Sequence, residues 1–275
     1  MKLAVSNIAL TAFDHAAELA ALPALGITAV EVAPSRVWRD TWKGLKTGDV
    51  TRYRKTVEAA GLTVVGLHSL FFGRPELGLF KAPMERAETL DFLVHLSGVC
   101  RDLGGRTMIW GGGRKRGSWS EAAARTETLA FLGKLLPRIE GHGTCLCFEP
   151  LGPKDSDFIN SARDSLAIVE TMASPALAVQ LDAKALVEND EATIDTFEAV
   201  RHVLVHFHAN QPGLGPLADG GPVDHAAMGA MLKEIGYDGA VTIEQMLTGG
   251  ADPMAAVAAS VRLLARCYGG AAVGA

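Results

Sequence analysis

The chain of 275 residues has few cysteines and few aromatic side chains. Its four cysteines lack the paired spacing of a metal finger. Cys145 and Cys147 lie two residues apart in a predicted strand, so they share a face and are poorly placed to bridge each other. The thiols are therefore expected to be reduced core groups, which is typical of a cytoplasmic protein.

Long apolar runs and an excess of basic residues are also missing. No stretch reaches the roughly 18 apolar residues that a membrane-spanning helix needs. The N-terminal segment MKLAVSNIAL lacks a long hydrophobic region, so we expect no secretory signal. A net charge of −5 with 21% charged residues gives no sign of the basic face that nucleic-acid-binding proteins present. The composition favours a cytoplasmic protein that binds neither nucleic acid nor membrane.

Strand-like runs alternate with amphipathic helical patterns from one end of the chain to the other. Hydrophobic residues make up 48% of the chain, which is enough for a sizeable core. Each helical pattern places apolar residues three and four positions apart. A last helix is predicted at about Pro253–Ala265. The predicted strands are Lys2–Asn7, Thr28–Val32, Thr63–His68, Thr107–Trp110, Thr144–Glu149, Leu177–Asp182, Val203–His208 and Ala240–Glu244.

Repeated strand–helix units imply parallel strands joined by right-handed crossovers. Eight such units favour an α/β protein with a single closed (β/α)8 TIM barrel over residues 1–267. The alternative is an open doubly wound sheet, but the Gly-rich dinucleotide turn of that fold is absent after the first strand. Residues 268–275 are expected to form a flexible C-terminal tail.

Four consecutive predicted strands end on a residue type that commonly binds metal ions. A single acidic residue or histidine at a strand end is usually a cap or a core group. A parallel barrel, however, brings the carboxyl ends of its strands to one mouth, and charged groups are costly to bury alone. Three carboxylates and one imidazole would suit one Mn, Mg, Co or Zn ion. The four residues are Glu149 in TCLCFEP, Asp182 in LAVQLDA, His208 in VLVHFHAN and Glu244 in AVTIEQM.

The residues two positions before these strand ends should point into the barrel as well, because side chains alternate along a strand. They are Cys147, Gln180, His206 and Thr242. We expect Gln180 and His206 to orient the metal ligands from the layer below.

Other polar residues near the predicted mouth are candidates for substrate binding. Glu31 and His68 lie at the ends of the second and third strands, and Asn210 follows His208. Arg114 and Arg116 follow the fourth strand in WGGGRKR, where they could pair with a phosphate or a carboxylate. A loop anchor, a capping histidine or a solvated basic turn is the structural alternative for each.

Several segments resemble the sugar phosphate isomerase/epimerase family of xylose-isomerase-like barrels. They are FEPLG, QLDAKAL, HFHANQPGLGPLADGGPVDH and IGYDGAVTIEQ, together with the earlier VEVAPSRVW, GLHSLFFGRPELGLF and IWGGGRKR. The resemblance implies that Glu149, Asp182, His208 and Glu244 hold one divalent metal. It also implies that Glu149 and Glu244 are a catalytic acid/base pair acting through an enediolate.

Two positions differ from the pattern of ketose 3-epimerases in that family. Ala185 stands where their Asp-x-x-His pattern has histidine, and Leu214 stands where they carry an arginine. Lys184 lies beside the first of these positions and is predicted to bind substrate in place of the missing histidine.

The resemblance implies a metal-dependent isomerase or epimerase of a small sugar or hydroxy-ketone, which could form a homo-oligomer. Two alternatives remain open: a metal-dependent dehydratase of a keto-polyol on the same site, and a sugar-binding barrel without catalysis. A metal nuclease is not favoured, because Trp110 and Ala185 stand where further histidine ligands would be needed and the chain is acidic.

Overall fold

The computed structural model describes residues 1–247 and 252–269 of the chain. Within these ranges the strands pair in parallel in chain order, and β1 pairs with β8 to close a barrel. The predicted (β/α)8 TIM barrel is therefore confirmed. The strands are β1 Lys2–Ser6, β2 Ala29–Val32, β3 Thr63–Leu67, β4 Thr107–Trp110, β5 Cys145–Phe148, β6 Leu177–Asp182, β7 Leu204–Ala209 and β8 Ala240–Ile243.

Helices connect successive strands and cover the outside of the barrel. Side-chain caps fix where several of them begin: Ser120 accepts a hydrogen bond from the backbone of Ala123, and Ser161 forms a reciprocal capping box with Asp164. The α-helices are α1 Ala16–Ala21, α2 Thr47–Ala59, α3 Pro83–Leu103, α4 Glu121–Glu140, α5 Ala162–Met172, α6 Ala183–Glu188, α7 Ile194–Val200, α8 His225–Glu234 and α9 Pro253–Tyr268.

Two features of the helices differ from the sequence-based expectation. Helix α6 follows β6 directly, because Oδ1 of Asp182 caps it by accepting a hydrogen bond from the Ala185 backbone at 2.8 Å. Helix α9 continues through Tyr268, which is fully buried, so residue 268 belongs to the helix and not to the predicted tail. Residues 270–275 of that predicted tail lie outside the described ranges.

Side chains of β5 alternate between two apolar layers, as the parity argument predicts. Leu146 and Phe148 belong to the main core between the strands and the helices. Cys145 and Cys147 belong to a separate small cluster that also contains Ile109 and Ala178. All four cysteines of the chain are buried free thiols, in agreement with the prediction. The inward direction of Cys147 therefore aims Glu149, two residues later, at the mouth of the barrel.

No helix in the described part of the chain combines the length and the apolar character that crossing a membrane requires.

Candidate metal centre and active site

The four residues predicted to bind metal lie together at the carboxyl ends of β5 to β8. One ligand atom from each of Glu149, Asp182, His208 and Glu244 lies within 4.8 Å of the other three. Nδ1 of His208 is the centre of the group, at 3.1 Å from Oε1 of Glu149, 3.5 Å from Oε2 of Glu244 and 3.7 Å from Oδ2 of Asp182. Three carboxylates and one imidazole, from residues spread over about a third of the chain, thus lie close enough together to bind one ion.

Strand register accounts for this convergence. Asp182 is directly opposite His208 in the β6–β7 pair, and His208 is opposite Thr242 in the β7–β8 pair. Glu244 follows two residues after Thr242 and so points to the same side of the barrel wall. Each side chain leaves the barrel at the end of its strand, where loops rather than packed layers surround it.

Glu31 holds the opposite edge of the His208 ring. Its Oε2 lies 2.9 Å from Nε2 of His208, and its Oε1 lies 3.2 Å from Nε2 of His206. All three side chains are fully buried. Glu31, which was predicted to contact substrate at the mouth, lies beneath His208, where it leaves Nδ1 facing the carboxylates.

The layer below the ligands contains the predicted inward residues. His206 shares its Nε2 with Glu31 and lies 3.2 Å from the Thr242 hydroxyl. Gln180 is fully buried, and neither atom of its amide has a hydrogen-bond partner among the described residues. His206 thus supports the His208–Glu31 pair, whereas Gln180 makes no direct contact with the ligands that would orient them.

Asn210 and His68 fix the carboxylates of the centre. The Asn210 amide donates to Oδ2 of Asp182 at 2.5 Å and to Oε2 of Glu244 at 2.9 Å, while its oxygen accepts from the Lys184 backbone. His68 lies 3.3 Å from Oε1 of Glu244 and 2.5 Å from the Ser6 hydroxyl. Both residues also line the cavity. The Asn210 amide, however, is already engaged in positioning two carboxylates.

The charges in this group shift one another's protonation. Burial would lower the pKa of His208, but Glu31 and Glu244 raise it well above the ordinary value. Burial would raise the pKa of Glu31, but His206 and His208 hold it well below its usual range. Burial raises the pKa of Glu149. At Glu244 burial also favours the neutral acid, but His208 and His68 together outweigh it and lower that pKa to about 2. The surrounding carboxylates thus favour a proton on His208, and a metal ion bound at Nδ1 would displace that proton.

Lys184 lies on the rim of the site in a cluster with two acidic residues. Its ammonium nitrogen lies 2.5 Å from Oδ2 of Asp155 and 3.3 Å from Oε2 of Glu188. Burial would lower the pKa of Lys184, but these two carboxylates raise it. The Lys184–Glu188 ion pair has the four-residue spacing of neighbours on a helix and could be predicted from the sequence. No sequence pattern indicates the contact of Lys184 with Asp155, which lies in the segment after β5. Lys184 and Asp155 both line the cavity and are available to hydroxyl groups there.

The two predicted arginines have structural roles. Arg114 is buried, and its guanidinium donates to the backbone carbonyls of Trp110, Glu149, Phe158 and Ile159. Arg116 donates to the carbonyls of Asp157 and Trp119. Carbonyls in the loop after β4 and in the segment after β5 thus engage both guanidinium groups, which were predicted to bind substrate.

Gly111 allows Glu149 to reach its position. A Cβ at Gly111 would collide with Oε2 of Glu149, whereas a Cβ at Gly112 would meet nothing within 4 Å. The close approach of the β4 loop backbone to the carboxylate therefore requires glycine at residue 111.

The candidate ligands open into a cavity of 640 Å³. This volume is within the range of about 300–1,000 Å³ that is usual for small-molecule sites. Apolar side chains form part of the wall, and polar groups gather at the end where the four ligands meet. The lining includes His68, Phe71, Phe72, Ile109, Glu149, Leu151, Asp155, Asp182, Lys184, Asn210, Leu214, Glu244 and Met246.

The donor set fits a divalent cation. Glu149, Asp182 and Glu244 crowd three carboxylates around one imidazole nitrogen, and like charges at this separation destabilise one another unless a cation lies among them. Oxygen-rich sites with one nitrogen suit Mn, Mg, Co or Zn. These buried groups can therefore hold one such ion.

A family model described as xylose isomerase-like TIM barrel matches residues 19–267. A ketose 3-epimerase from Arthrobacter globiformis is 30% identical over 127 residues. That match covers 45% of this chain and 42% of the epimerase, so the chain spans less than half the length of this curated relative.

Solved structures resemble the chain over nearly its whole length. A D-psicose 3-epimerase from Clostridium cellulolyticum H10, solved with D-tagatose, has a TM-score of 0.83 at 16% identity and covers 98% of this chain and 99% of its own. A 3-keto-D-glucoside 4-epimerase from E. coli has a TM-score of 0.78 at 18% identity and covers 97% of this chain and 100% of its own. At these identities the likeness is one of fold.

Proposed function

The chain belongs to the xylose isomerase-like TIM barrel family, and on that basis we propose that it is a divalent-metal-dependent sugar epimerase or isomerase. Its substrate is a small ketose or a related hydroxy-ketone. The proposal rests on one observation above the others, namely the convergence of Glu149, Asp182, His208 and Glu244 at the barrel mouth. Relatives named as 3-epimerases of ketoses support the same reaction class.

Glu149, Asp182, His208 and Glu244 would hold the cation. When bound, a divalent cation would act as a Lewis acid that stabilises negative charge on adjacent substrate oxygens. Glu31 keeps the His208 ring oriented from beneath, and Asn210 holds Asp182 and Glu244. The site is thus arranged before substrate arrives, which lowers the reorganisation needed during the reaction.

Glu149 and Glu244 are the proposed acid/base pair. Both line the cavity, and both carboxylates are held within the cluster rather than in solvent. One removes a proton from the carbon beside the carbonyl, which yields an enediolate, and the other returns a proton to the opposite face. Two carboxylates are needed because a single base would return the proton to the face from which it came. His68 holds Glu244 in place through its 3.3 Å contact.

The test is proton exchange from deuterated solvent into a panel of ketoses, with Mn²⁺, Mg²⁺, Co²⁺ or Zn²⁺ added to metal-stripped protein. We expect deuterium at the epimerised carbon with at least one cation and none after chelation. Glu149→Gln should retain the cation and lose exchange by about 10²–10⁴-fold, the range for a general acid or base. Glu140→Gln, an exposed change at the end of α4, is the matched control.

Exchange in Glu149→Gln at the wild-type rate would falsify the role of Glu149. Loss of water from the substrate, read as the absorbance of an enone product, would instead assign the site to a dehydratase. Tight sugar binding with no exchange for any ketose would indicate a binding protein.

A further inference from the structure

A second cavity of 400 Å³ adjoins the one that contains the metal ligands. The two share the ring of Phe71, the side chain of Asp155 and the backbone of residues 111–113. The two cavities are therefore neighbours, separated by these shared residues.

Three consecutive glycines, Gly111 to Gly113, form part of the shared wall and keep it thin. A Cβ at Gly113 would approach Cδ2 of Phe71 to 2.8 Å, and one at Gly111 would collide with Glu149. Gly112 and Gly113 are exposed along this wall. Any larger residue at 111 or 113 would displace Glu149 or Phe71, so the sequence WGGG keeps the wall between the two cavities free of bulky side chains.

Positive charge collects around the second cavity. Arg74, Lys81 and Lys115 line it, and the buried guanidinium of Arg114 forms part of its floor. Lys81 and Lys115 are exposed, and among the described residues their ammonium groups make no ion pair. The direct hydrogen-bond partners of Arg114 are backbone carbonyls, so it forms no ion pair, although the Glu149 carboxylate lies close enough to interact with its charge.

Acidic groups near this cavity are already paired. Asp155, which also lines it, lies 2.5 Å from the ammonium of Lys184. Arg74 forms ion pairs with Asp40 at 3.3 Å and with Glu76 at 3.6 Å, and both of these carboxylates are half-exposed. The two unpaired lysines and Arg114 therefore leave the cavity with an excess of positive charge.

We propose that the substrate extends beyond the sugar carbons at the metal centre and ends in an oxyanion, a phosphate ester or a carboxylate, that lies in this second cavity. Lys81 and Lys115 bind that group, and Phe71 and Phe80 enclose the carbon chain leading to it. This inference rests on the proposed epimerase activity, since it names the substrate class for the same site.

The test compares kcat/KM for solvent exchange among a neutral ketohexose, its 6-phosphate and the ketose with a 6-carboxylate. We expect at least one anionic substrate to exceed the neutral one by about 10–100-fold, the range for charge-assisted hydrogen bonds. A preference between the phosphate and the carboxylate identifies the oxyanion. The double variant Lys81→Ala/Lys115→Ala should reduce the ratio of anionic to neutral kcat/KM by about 10-fold or more. Lys55→Ala, an exposed lysine on α2, should leave the ratio unchanged.

Binding separates this inference from the proposed reaction. The 6-phosphate is titrated into metal-loaded Glu149→Gln protein by calorimetry, where turnover is not needed. Binding that weakens in the Lys81/Lys115 double variant supports the inference even if no ketose exchanges a proton. Equal kcat/KM for neutral and anionic substrates, or equal 6-phosphate affinity in the double variant and in Lys55→Ala, overturns it. A preference for a neutral two-sugar glycoside overturns it as well, because a second sugar would then fill the cavity.

Discussion

Glu31 and His208 are 177 residues apart in the sequence, yet Oε2 of Glu31 lies 2.9 Å from Nε2 of His208 in the centre of the barrel. Neither side chain is exposed to solvent. A carboxylate at Nε2 keeps the proton on that nitrogen and leaves the lone pair of Nδ1 available for a metal ion. The carboxylate also makes Nδ1 more basic and therefore a stronger metal ligand.

Glu31→Gln should therefore weaken Mn²⁺ binding by about 10–100-fold, the usual cost of losing the partner of a metal-bound histidine. The change keeps the shape of the side chain and removes only its charge. Calorimetric titration of metal-stripped protein measures the affinity, with Glu140→Gln as the control. Wild-type affinity in a folded Glu31→Gln protein would show that Glu31 does not act through His208.

Asn210→Ala should reduce both metal affinity and exchange activity. The amide donates hydrogen bonds to both Asp182 and Glu244. Its loss removes the group that holds these two carboxylates in place and increases the repulsion between them. We expect about 10-fold or greater loss of kcat/KM, and a fall in stability of about 1–3 kcal/mol for the unpaired groups left behind. Steady-state exchange kinetics and urea unfolding measure the two effects. If kcat/KM were unchanged, the carboxylates would be positioned by other contacts.

Gly111→Ala should impair the centre, whereas Gly112→Ala should be tolerated. The first adds a methyl group that collides with Oε2 of Glu149, and the second adds one in open space. Neither glycine has a positive φ, so replacing either with alanine adds no backbone strain and the two variants differ only in the space around the new methyl group. Metal titration and solvent exchange should both show a loss for Gly111→Ala. Equal behaviour of the two variants would mean that Glu149 can move aside without cost to the site.

His225 should make the fold sensitive to acid. It is buried against Tyr268, whose hydroxyl lies 2.8 Å from Nδ1, and burial lowers the pKa of His225 to about 4 although Asp224 and Asp219 oppose this. The unfolded chain binds a proton near pH 6.5, while the folded chain does so only near pH 4. The stability from this site is therefore complete above pH 6.5 and is lost as the pH falls toward 4, by about 2–3 kcal/mol at most.

Urea unfolding between pH 7.5 and 4.5 measures this dependence against His225→Asn, which cannot titrate. The variant should lose less stability over that range than the wild type, although it is less stable at neutral pH. His202→Asn, on an exposed histidine, should follow the wild-type curve. Parallel curves for wild type and His225→Asn would contradict the account.

The clustering of the four candidate ligands could be predicted from the sequence because strand parity and strand order carry most of the information. Glu149, Asp182, His208 and Glu244 each end a buried run, and in a parallel barrel consecutive strand ends must be neighbours. Parity also placed Cys147 and His206 inside the barrel, as the structure has them.

Residues outside the strands were harder to place, because their direction depends on loop backbone that no periodicity describes. The sequence around Arg114 and Arg116 is typical of a solvated basic turn. In the structure their guanidinium groups donate to carbonyls of a loop more than 35 residues away in the sequence. For Glu31 the position at the end of a strand was predicted, but its depth below the mouth of the barrel was not. Depth depends on the stagger of β2 against β3, where the register shifts between Val30 and Glu31.

The most direct test of the central claim is anomalous scattering from crystals of the protein grown with Mn²⁺. The account predicts a single strong peak at the barrel mouth, about 2.0–2.4 Å from one atom each of Glu149, Asp182, His208 Nδ1 and Glu244. The peak should vanish in the double variant Asp182→Asn/His208→Gln. A Mn²⁺ peak elsewhere, or none at these four residues in a metal-saturated crystal, would contradict the account.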